Sequence, residues 1–339
     1  MTKLVAFLLG TLVSLACHSQ HEEKRYVKNL KYRLLISSVA EVREVNSLFM
    51  VNKALVPSGK EDLALYHSPS LLSGLLIQAN NASLYLVAPA PQSQSQIDRE
   101  GKQSTTIFRA SAIHRGLLAN FNYVSNTGFY DANYLDHPEF PGDTVLFRRH
   151  NSTAIEWYSV DVNYYFGRDK FAIGLPHYYG ERQLRSRFTV AMRLAYDQAG
   201  SDNGGRAYFR DSTAALSPDL ATTSLSYRGA LLALSPSAYL VARERFFCHV
   251  EVSAGLGVGQ LLLSNERERR LRARLEVPQA RITMGINTDR FVLSMHYTYV
   301  NRSMDSGDLA ISNFLSSYGL LLGFRMNQHK YRRLSWDTI

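Results

Sequence analysis

Cysteine, tryptophan and long apolar runs are scarce in this chain of 339 residues, which contains two cysteines and two tryptophans. The cysteines are Cys17 and Cys248, and no CxxC pair occurs, which excludes a metal site built on paired thiolates. Because Cys17 lies in an apolar leader, a chain cut beyond it leaves Cys248 without a partner and has no disulfide framework. We expect neither a bound metal nor a cofactor.

Catalytic signatures are missing as well. The sequence contains no G-x-S-x-G, no HExxH and no P-loop. His296 shares the polar face of one predicted strand with Ser294 and Thr298, but their spacing does not supply a positioned base and an orienting acid. We therefore predict no enzymatic activity, and we keep an outer-membrane hydrolase as an alternative.

The leader has the order of an export signal. A positive start, Met1–Lys3, precedes the apolar run Leu4–Ala16 and then a very polar stretch. The run is too short for a spanning helix, and no later segment is apolar for long enough. We predict a signal peptide over residues 1–19, cut near 16–19, and a periplasmic segment over 20–29. Cys17 is a candidate for lipid attachment, although Ser14 stands where leucine is usual.

The charge is positive and mostly dispersed. The formal net charge is +9, from 38 lysines and arginines against 29 acidic residues, as expected for a solvated surface. One segment departs from this pattern by its dense arginines: Arg267, Arg269, Arg270, Arg272 and Arg274. Phosphates of lipopolysaccharide would suit such a cluster, and a solvated loop is the alternative. No aromatic residues are interleaved, so we expect no nucleic-acid partner.

Alternation with period two is the dominant pattern, in a chain that has 20 tyrosines and 16 phenylalanines. Four runs, over 188–197, 250–259, 291–300 and 317–325, have one apolar face and one small or polar face. They reach the length of about 10 residues that a tilted membrane strand needs, whereas strands of soluble sandwiches average about 5–6. The pattern predicts an all-β, antiparallel transmembrane barrel over 30–326, with a soluble periplasmic sandwich as the alternative.

Connections of unequal length refine this prediction to about 12 strands, the first of them between Leu30 and Val51. Aromatic residues flank tight turns at 167–170, 243–245 and 288–290, as at a periplasmic rim. Long polar links, predicted to face outward, cover 89–105, 132–152, 198–223, 264–278 and 302–313. Pro236 predicts a local bulge in the strand Ser224–Ala242.

An even strand count requires the segment Lys170–Asp197 to cross the membrane once, although Pro176–Gly180 interrupts it. We interpret it as one long strand that is bulged or folded inward at its middle. Its charged group would then constrict the lumen, hold an anionic solute or form an internal salt-bridge network: Glu181, Arg182, Gln183 and Arg185. Further lumen-facing candidates come from the alternating strands: Arg193, Asp197, Glu251 and His296.

Four blocks of the chain resemble the domain of unknown function 4421, a family of uncharacterised Bacteroidota proteins. They cover 163–187, 237–259, 280–291 and 318–325, and the first contains a Gly-Arg-Asp-Lys-Phe turn followed by Glu-Arg-Gln. This chain departs from the family at 184–187, where Leu-Arg-Ser-Arg replaces a Lys-Ser-Ala-Gly-like stretch. The resemblance implies an exported outer-membrane barrel and no known activity.

The closing strand is similar to a barrel-assembly signal, so the assembly machinery is an expected partner together with outer-membrane lipid. It departs from such signals by continuing into a basic tail over 327–339. We predict an outer-membrane barrel that passes or binds a small solute or has a structural role in the envelope. A surface adhesion protein that acts through the long outer loops is a further possibility that the sequence leaves open.

Overall fold

The computed structural model forms a closed, antiparallel barrel of twelve strands, as the alternation predicts. The structure describes residues 26–30, 34–51, 63–79, 81–114, 117–131, 148–167, 170–172, 179–205, 208, 222–264, 268–306 and 309–326. The predicted signal peptide, Cys17 and the basic tail lie outside these residues. None of the helices in the described part is long and apolar enough to cross a membrane.

Strands that follow one another in the sequence are neighbours in the wall, except at one strand that lies outside it. The chain runs through β1 (Val27–Asn29), β2 (Leu34–Val51), β3 (Leu63–Ala79), β4 (Ala82–Pro89), the short helix α1 (Gln94–Glu100), β5 (Ser104–His114), β6 (Leu117–Asp131), β7 (Arg148–Tyr165), β8 (Glu181–Gln183), β9 (Arg187–Asp202), β10 (Ser224–Ala242), β11 (Phe246–Ser264), β12 (Glu268–Asn287), β13 (Phe291–Asp305) and β14 (Leu309–Met326). Neighbouring wall strands pair antiparallel, and the barrel closes through β14 with β2 and, since β8 lies outside the wall, through β7 with β9.

Two ends of the barrel are distinguished by their connections. Short connections at 80–81, 115–116, 243–245 and 288–290, together with the segment 166–186, define what we call the turn end. The opposite end, called the loop end, has the connections 52–62, 90–103, 132–147, 203–223, 265–267 and 306–308.

Alternation separates an apolar outside from a polar inside, because successive side chains of a strand point to opposite faces. Leu194, Leu256 and Val258 are 62%, 59% and 76% exposed, whereas Arg193 and Glu251, at positions of the opposite face on β9 and β11, are buried. Charged side chains on the outer faces of the strands, such as Arg228, lie in the half toward the loop end. An apolar outer band below a charged margin is the surface of a membrane barrel, so the prediction of a soluble sandwich is wrong.

Three sequence predictions about the wall were wrong. The predicted link 264–278 is mostly strand, since β12 begins at Glu268, and 302–313 is reduced to three linking residues, 306–308. The dense arginines of β12 suggested a polar loop in the sequence. In the structure, Ala273 and Leu275 alternate with them and face the inside of the barrel. Pro236 causes no bulge, because Leu234 and Ser237 pair with β11 in one unbroken register.

An irregularity in strand length explains where α1 lies. Strands β4 and β5 are shorter than their neighbours, so β3 and β6 pair directly beyond them at Tyr66 and Tyr130. A register shift in β3 turns the Ser68 hydroxyl toward α1, where it donates to the Glu100 carboxylate. The predicted link over 89–105 is therefore a helical connection anchored to the barrel wall.

Candidate functional site

The middle of the barrel encloses a cavity of about 110 Å³. Its charged lining consists of Arg109, Arg193, Arg281, Arg302, Asp161 and Glu251. These side chains come from inward positions on β5, β7, β9, β11, β12 and β13, so the cavity exists only when the whole wall has closed. A water needs about 10–15 Å³ of such volume, so the cavity is large enough for several waters or one small solute.

Ion pairs across the cavity are long. Arg193 Nη2 lies 3.5 Å from Asp161 Oδ2, and its Nη1 donates to Gln279 Oε1 at 3.1 Å. Arg281 Nη1 lies 3.6 Å from Glu251 Oε1. Separations of about 2.7–2.9 Å are usual for a charge-assisted hydrogen bond, so these two ion pairs are loose.

Arg302 marks the margin of the cavity toward the loop end. Its Nε lies 3.8 Å from Asp197 Oδ2, and its guanidinium carbon stands 5.3 Å above the centre of the Trp157 ring. Trp157 is 4% exposed. The only other tryptophan is Trp336 in the C-terminal tail. The fluorescence of Trp157 can therefore report changes in the surroundings of the cavity.

A compact polar cluster adjoins the cavity on β2, β4 and β5. Glu41 accepts from Arg43 Nη2 at 3.0 Å and from the Tyr85 hydroxyl, and Arg109 lies 5.1 Å above the centre of the Tyr85 ring. Arg43 and Glu41 are each 1% exposed. A buried charge needs a partner with good geometry, and here one carboxylate accepts from both the Arg43 guanidinium and the Tyr85 hydroxyl.

The loop end of the lumen is closed by an apolar layer. It consists of inward side chains from six strands: Phe49, Ile155, Leu225, Leu261, Met304 and Ile311. Tyr208, from the link between β9 and β10, stacks on Phe49 with ring centroids 5.1 Å apart and bonds the Ser201 hydroxyl at 2.5 Å. Little free space remains in this layer, so it separates the polar cavity from the loop end.

The turn end is closed by the segment between β7 and β9. Here β8 leaves the wall and pairs antiparallel with β1, with Lys28 opposite Arg182. We call this two-stranded sheet and the adjoining residues 179–180 the plug. Glu181, Arg182 and Gln183 are all buried, and the Tyr179 backbone N–H donates to Gln78 Oε1 at 2.8 Å.

Arg325 fastens the plug from the last wall strand. Its Nη2 donates to the Tyr179 carbonyl at 3.0 Å and to Asn287 Oδ1 at 2.7 Å, and its Nη1 donates to the carbonyls of Thr288 and Phe291. One side chain therefore joins β14, the turn after β12 and the plug. Removing it would take this donor from the carbonyls of Tyr179 and Thr288 in a crowded interior.

An ionic latch holds the plug at its outer edge. The carboxylate of Asp289, in the turn between β12 and β13, accepts from Lys28 Nζ at 2.8 and 2.9 Å and lies 3.1 Å from Arg182 Nη1. The hydrogen bond from Lys28 lowers the pKa of Asp289 below its ordinary value of 3.8; burial opposes this shift, and the charge of Arg182 adds to it. The latch is thus charged at neutral pH.

Aromatic packing supports the plug from within. Phe171 stacks on Tyr165 with centroids 6.0 Å apart and meets Tyr239 edge-on at 5.0 Å. Gln183 accepts from the Ala172 N–H at 2.7 Å and donates to the Arg185 carbonyl at 2.8 Å. Arg185 itself is half-buried and lies over the Tyr26 ring.

The lumen candidates from the sequence fall into two groups. Arg193, Asp197, Glu251 and His296 occupy inward, buried positions on the wall. Glu181, Arg182 and Gln183 lie in the plug, which folds into the turn end, so the segment 170–197 crosses only through β9 and is not one long strand. Sequence reasoning missed several charged partners at equivalent positions: Glu41, Arg43, Arg109, Asp161, Arg281, Arg302 and Arg325.

The arginine cluster is not in a loop. Arg270, Arg272 and Arg274 lie on β12 with exposed side chains on its outer face, and Arg274 pairs with Glu276 at 2.9 Å. Arg267 lies outside the described residues, and so does the side chain of Arg269. Within the described part, no group of three histidine, cysteine or acidic side chains is placed to hold a metal ion.

The family described as domain of unknown function (DUF4421) matches residues 24–326, which include the plug and the whole barrel. The chain belongs to this family. A comparison with curated proteins finds no match.

Similar solved structures are outer-membrane proteins with little sequence in common. The outer membrane protease OmpT from Escherichia coli is 9% identical, with a TM-score of 0.37 over 90% of this chain and 99% of that one. The toluene transporter TodX of Pseudomonas putida is 7% identical, with a TM-score of 0.29 over 88% and 91%. At these values the activities of those proteins do not extend to this chain.

Proposed function

We propose that this member of the family is an outer-membrane barrel that admits a small polar solute to its lumen through a gated turn end. The observation that supports it is a polar cavity enclosed between the apolar layer and the plug. An unbroken apolar fill would close a barrel more simply, whereas a polar cavity behind a hydrogen-bonded plug is suited to a solute that comes and goes. The short connections support a turn end that faces the periplasm.

The plug has the features of a gate. It contacts the wall through hydrogen bonds and ion pairs at its edge, notably the latch of Lys28, Arg182 and Asp289. Neither of its two strands pairs with a wall strand, since β8 and β1 pair with each other. Strand β1 comes from the N-terminal segment. Exposed ion pairs are individually weak, so the rim contact opens at modest cost, whereas release of the whole plug also breaks the buried hydrogen bonds from Arg325 and to Gln78.

The test is the accessibility of the cavity to a small reagent. Ser235, which lines the cavity and is 2% exposed, is replaced by cysteine in a Cys248→Ser background. A small anionic methanethiosulfonate is added to the refolded barrel, and labelling of the peptide that contains position 235 is followed by mass spectrometry. We expect slow labelling in the parent and at least several-fold faster labelling when Asp289→Asn removes the latch.

Arg290→Gln is the matched control, because its side chain is exposed in the same turn and its replacement also changes one charge. It should leave the labelling rate unchanged. A cysteine at the exposed Glu244 in the turn after β10 should react rapidly in every variant and calibrates the reagent. Equal, negligible labelling of position 235 with and without the latch would mean that the lumen is a sealed structural core.

A second proposal concerns the outer face of β12. Arg272 adjoins Gln260, and Gln260 in turn accepts from Arg228 Nη2 at 3.2 Å, so arginines mark the loop-end margin of the apolar band. We propose that phosphates of anionic membrane lipid, lipopolysaccharide among them, bind along this margin. Guanidinium groups pair well with phosphate, and a strand holds them at a fixed height above the band.

Hydrolysis and adhesion have less support than solute entry. A hydrolase would need a hydroxyl, an imidazole and a carboxylate in sequence, yet the described pair Thr105 and His67 is fully buried, and His67 Nδ1 lies 3.1 Å from the Ser68 carbonyl oxygen. Adhesion would act through loop-end links over 132–147 and 203–223, most of which lie outside the described residues. It stays a prediction from the sequence.

A further inference from the structure

The surface of the turn end is strongly basic. Among the described residues there, two acidic side chains, Glu244 and Asp289, are exposed. The basic side chains that are exposed or half-buried at this end are seven: Lys28, Lys170, Arg185, Arg187, Arg243, Arg245 and Arg290. Asp289 already pairs with Lys28 and with the buried Arg182, so it does not offset the others. A surface with such an excess attracts partners of the opposite charge.

Two of these arginines lie on the plug and are held in place without being neutralised. The guanidinium carbons of Arg185 and Arg187 stand 5.9 and 5.8 Å from the centre of the same ring, that of Tyr26. Neither arginine forms an ion pair with a carboxylate in the part of the chain that the structure describes. A guanidinium group that rests on a ring keeps its charge and its planar set of donors for a further partner.

The turn after β10 adds two more arginines at the rim of the wall. Its backbone has φ of 50° at Arg243 and 55° at Glu244, two successive positive values as in a type I′ turn. Asparagine and glycine adopt these values most readily, so charged residues here go against the local preference of the backbone. The Asn287 N–H donates to the Arg245 carbonyl at 2.9 Å, which places this turn beside the one that contains Arg290.

The basic residues are joined on one side of the barrel. The Val241 N–H donates to Ser186 Oγ at 3.0 Å, so the segment that carries Arg185 and Arg187 lies against the end of β10. On the opposite side of the wall, the turn between β3 and β4 consists of the neutral Asn80–Asn81. The excess of charge is therefore a patch around the plug and not an even ring around the barrel.

We propose that an acidic segment of another polypeptide docks on the turn end. Its binding surface, which we call the basic face, consists of five arginines: Arg185, Arg187, Arg243, Arg245 and Arg290. Lipid phosphates surround a barrel at its perimeter and meet the rim, whereas the basic face continues from the rim onto the plug across the mouth of the barrel. A run of aspartate or glutamate side chains can span both parts, because carboxylates pair with guanidinium groups through two parallel hydrogen bonds. This docking does not require the lumen to open.

The probe is fluorescein-labelled poly-L-glutamate, whose anisotropy is measured with the barrel in nanodiscs of phosphatidylcholine at physiological salt. The test variant is Arg243→Asn/Arg245→Gln/Arg290→Gln, in which asparagine suits the positive φ of position 243 and preserves the turn. The matched control removes three charges at the other end of the barrel: Arg228→Gln/Arg272→Gln/Arg274→Gln.

We expect saturable binding by the parent and by the control. The test variant should bind about ten-fold more weakly, because three exposed ion pairs together contribute about that factor. Arg185→Gln/Arg187→Gln, which changes the part of the basic face on the plug, should also bind more weakly than the parent. The shift of the protein band on boiling in a denaturing gel establishes that each variant is folded.

Three results would overturn the proposal. The parent does not bind poly-glutamate saturably, a folded test variant binds it as tightly as the parent does, or the loop-end control loses as much affinity as the test variant. Vesicles of phosphatidylglycerol distinguish a lipid surface from a docking surface. If the turn-end variants lose binding to these vesicles and keep poly-glutamate, the basic face serves lipid and the proposal fails. Negligible labelling of position 235 removes the gated lumen and leaves this docking surface unaffected.

Discussion

His296 and Gly319 provide a quantitative test of the lumen packing. They pair directly across β13 and β14, and the His296 side chain is buried at 7% exposure. A Cβ placed on Gly319 would lie 2.2 Å from Cε1 and 2.4 Å from Nε2 of the imidazole. Carbon atoms in favourable contact are about 3.5–4.0 Å apart, so in the variant Gly319→Ala the ring must leave its position.

Displacement of a buried ring costs about 1–3 kcal/mol, the usual penalty for overfilling a packed interior. With a urea dependence of about 2–3 kcal/mol per molar, Gly319→Ala should lower the unfolding midpoint by roughly 0.3–1.5 M. Gly200→Ala on β9 is the matched control, because nothing lies within 4 Å of the Cβ it would acquire. Its free energy of unfolding should change by less than about 0.5 kcal/mol.

The double variant makes the reasoning refutable. If the cost arises from the close approach, the alanine at 319 should be harmless once His296→Ala has removed the ring. Gly319→Ala/His296→Ala should then be at least as stable as His296→Ala, with a coupling energy of about 1–3 kcal/mol, the whole cost of the single change. Urea unfolding of the barrel refolded into lipid vesicles measures all four proteins. Simple additivity of the two effects would show that the clash is not the cause.

Three further predictions concern the plug and the outer margin. Arg325→Gln should destabilise the barrel by about 2–4 kcal/mol in urea unfolding, because it leaves the carbonyls of Tyr179 and Thr288 without their donor; an unchanged midpoint would contradict this role. The lowered pKa of Asp289 means that the latch persists at neutral pH and is lost as pH falls through a value below 3.8. Bilayer conductance should therefore rise at that acidity in the parent and show no such step in Asp289→Asn. Joint replacement of Arg272 and Arg274 by glutamine should reduce binding of anionic lipid by the detergent-purified barrel, whereas Arg290→Gln at the turn end should not; equal lipid binding in both would remove the outer margin as a lipid site.

The barrel wall was predictable because its physical signal is local. Alternation needs only the two faces of one strand, and strand parity needs only the order of the links, so the count of twelve strands followed without any knowledge of contacts. The errors arose where polarity was taken for irregular structure. Arg272 and Arg274 are charged and yet in a strand, because a wall that rises above the apolar band meets water on its outer face.

The cavity could not be predicted from the sequence, for a different reason. Asp161 lies between Val160 and Val162, and Arg281 between Ala280 and Ile282, so both could be assigned to the inner face of a strand. Their partners lie on the neighbouring wall strand: Asp161 meets Arg193 on β9, and Glu251 meets Arg281 directly across β11 and β12. Those meetings depend on the register between two strands, which the alternation within one strand does not encode. The pairing of β1 with β8 joins segments about 150 residues apart, and no local pattern predicts it.

The two layers of the lumen allow a comparison within one molecule. Near the loop end the wall is filled by Phe49, Leu261 and Met304, which need no partners and leave little free space. A few residues deeper, the same wall contains four arginines and an open cavity. Replacing buried ion pairs by well-packed apolar residues is often neutral or stabilising by about 1–4 kcal/mol. The apolar layer demonstrates that this barrel accommodates such a filling. Stability alone therefore does not account for the charged cavity, and the proposed entry of a polar solute would give those charges a role.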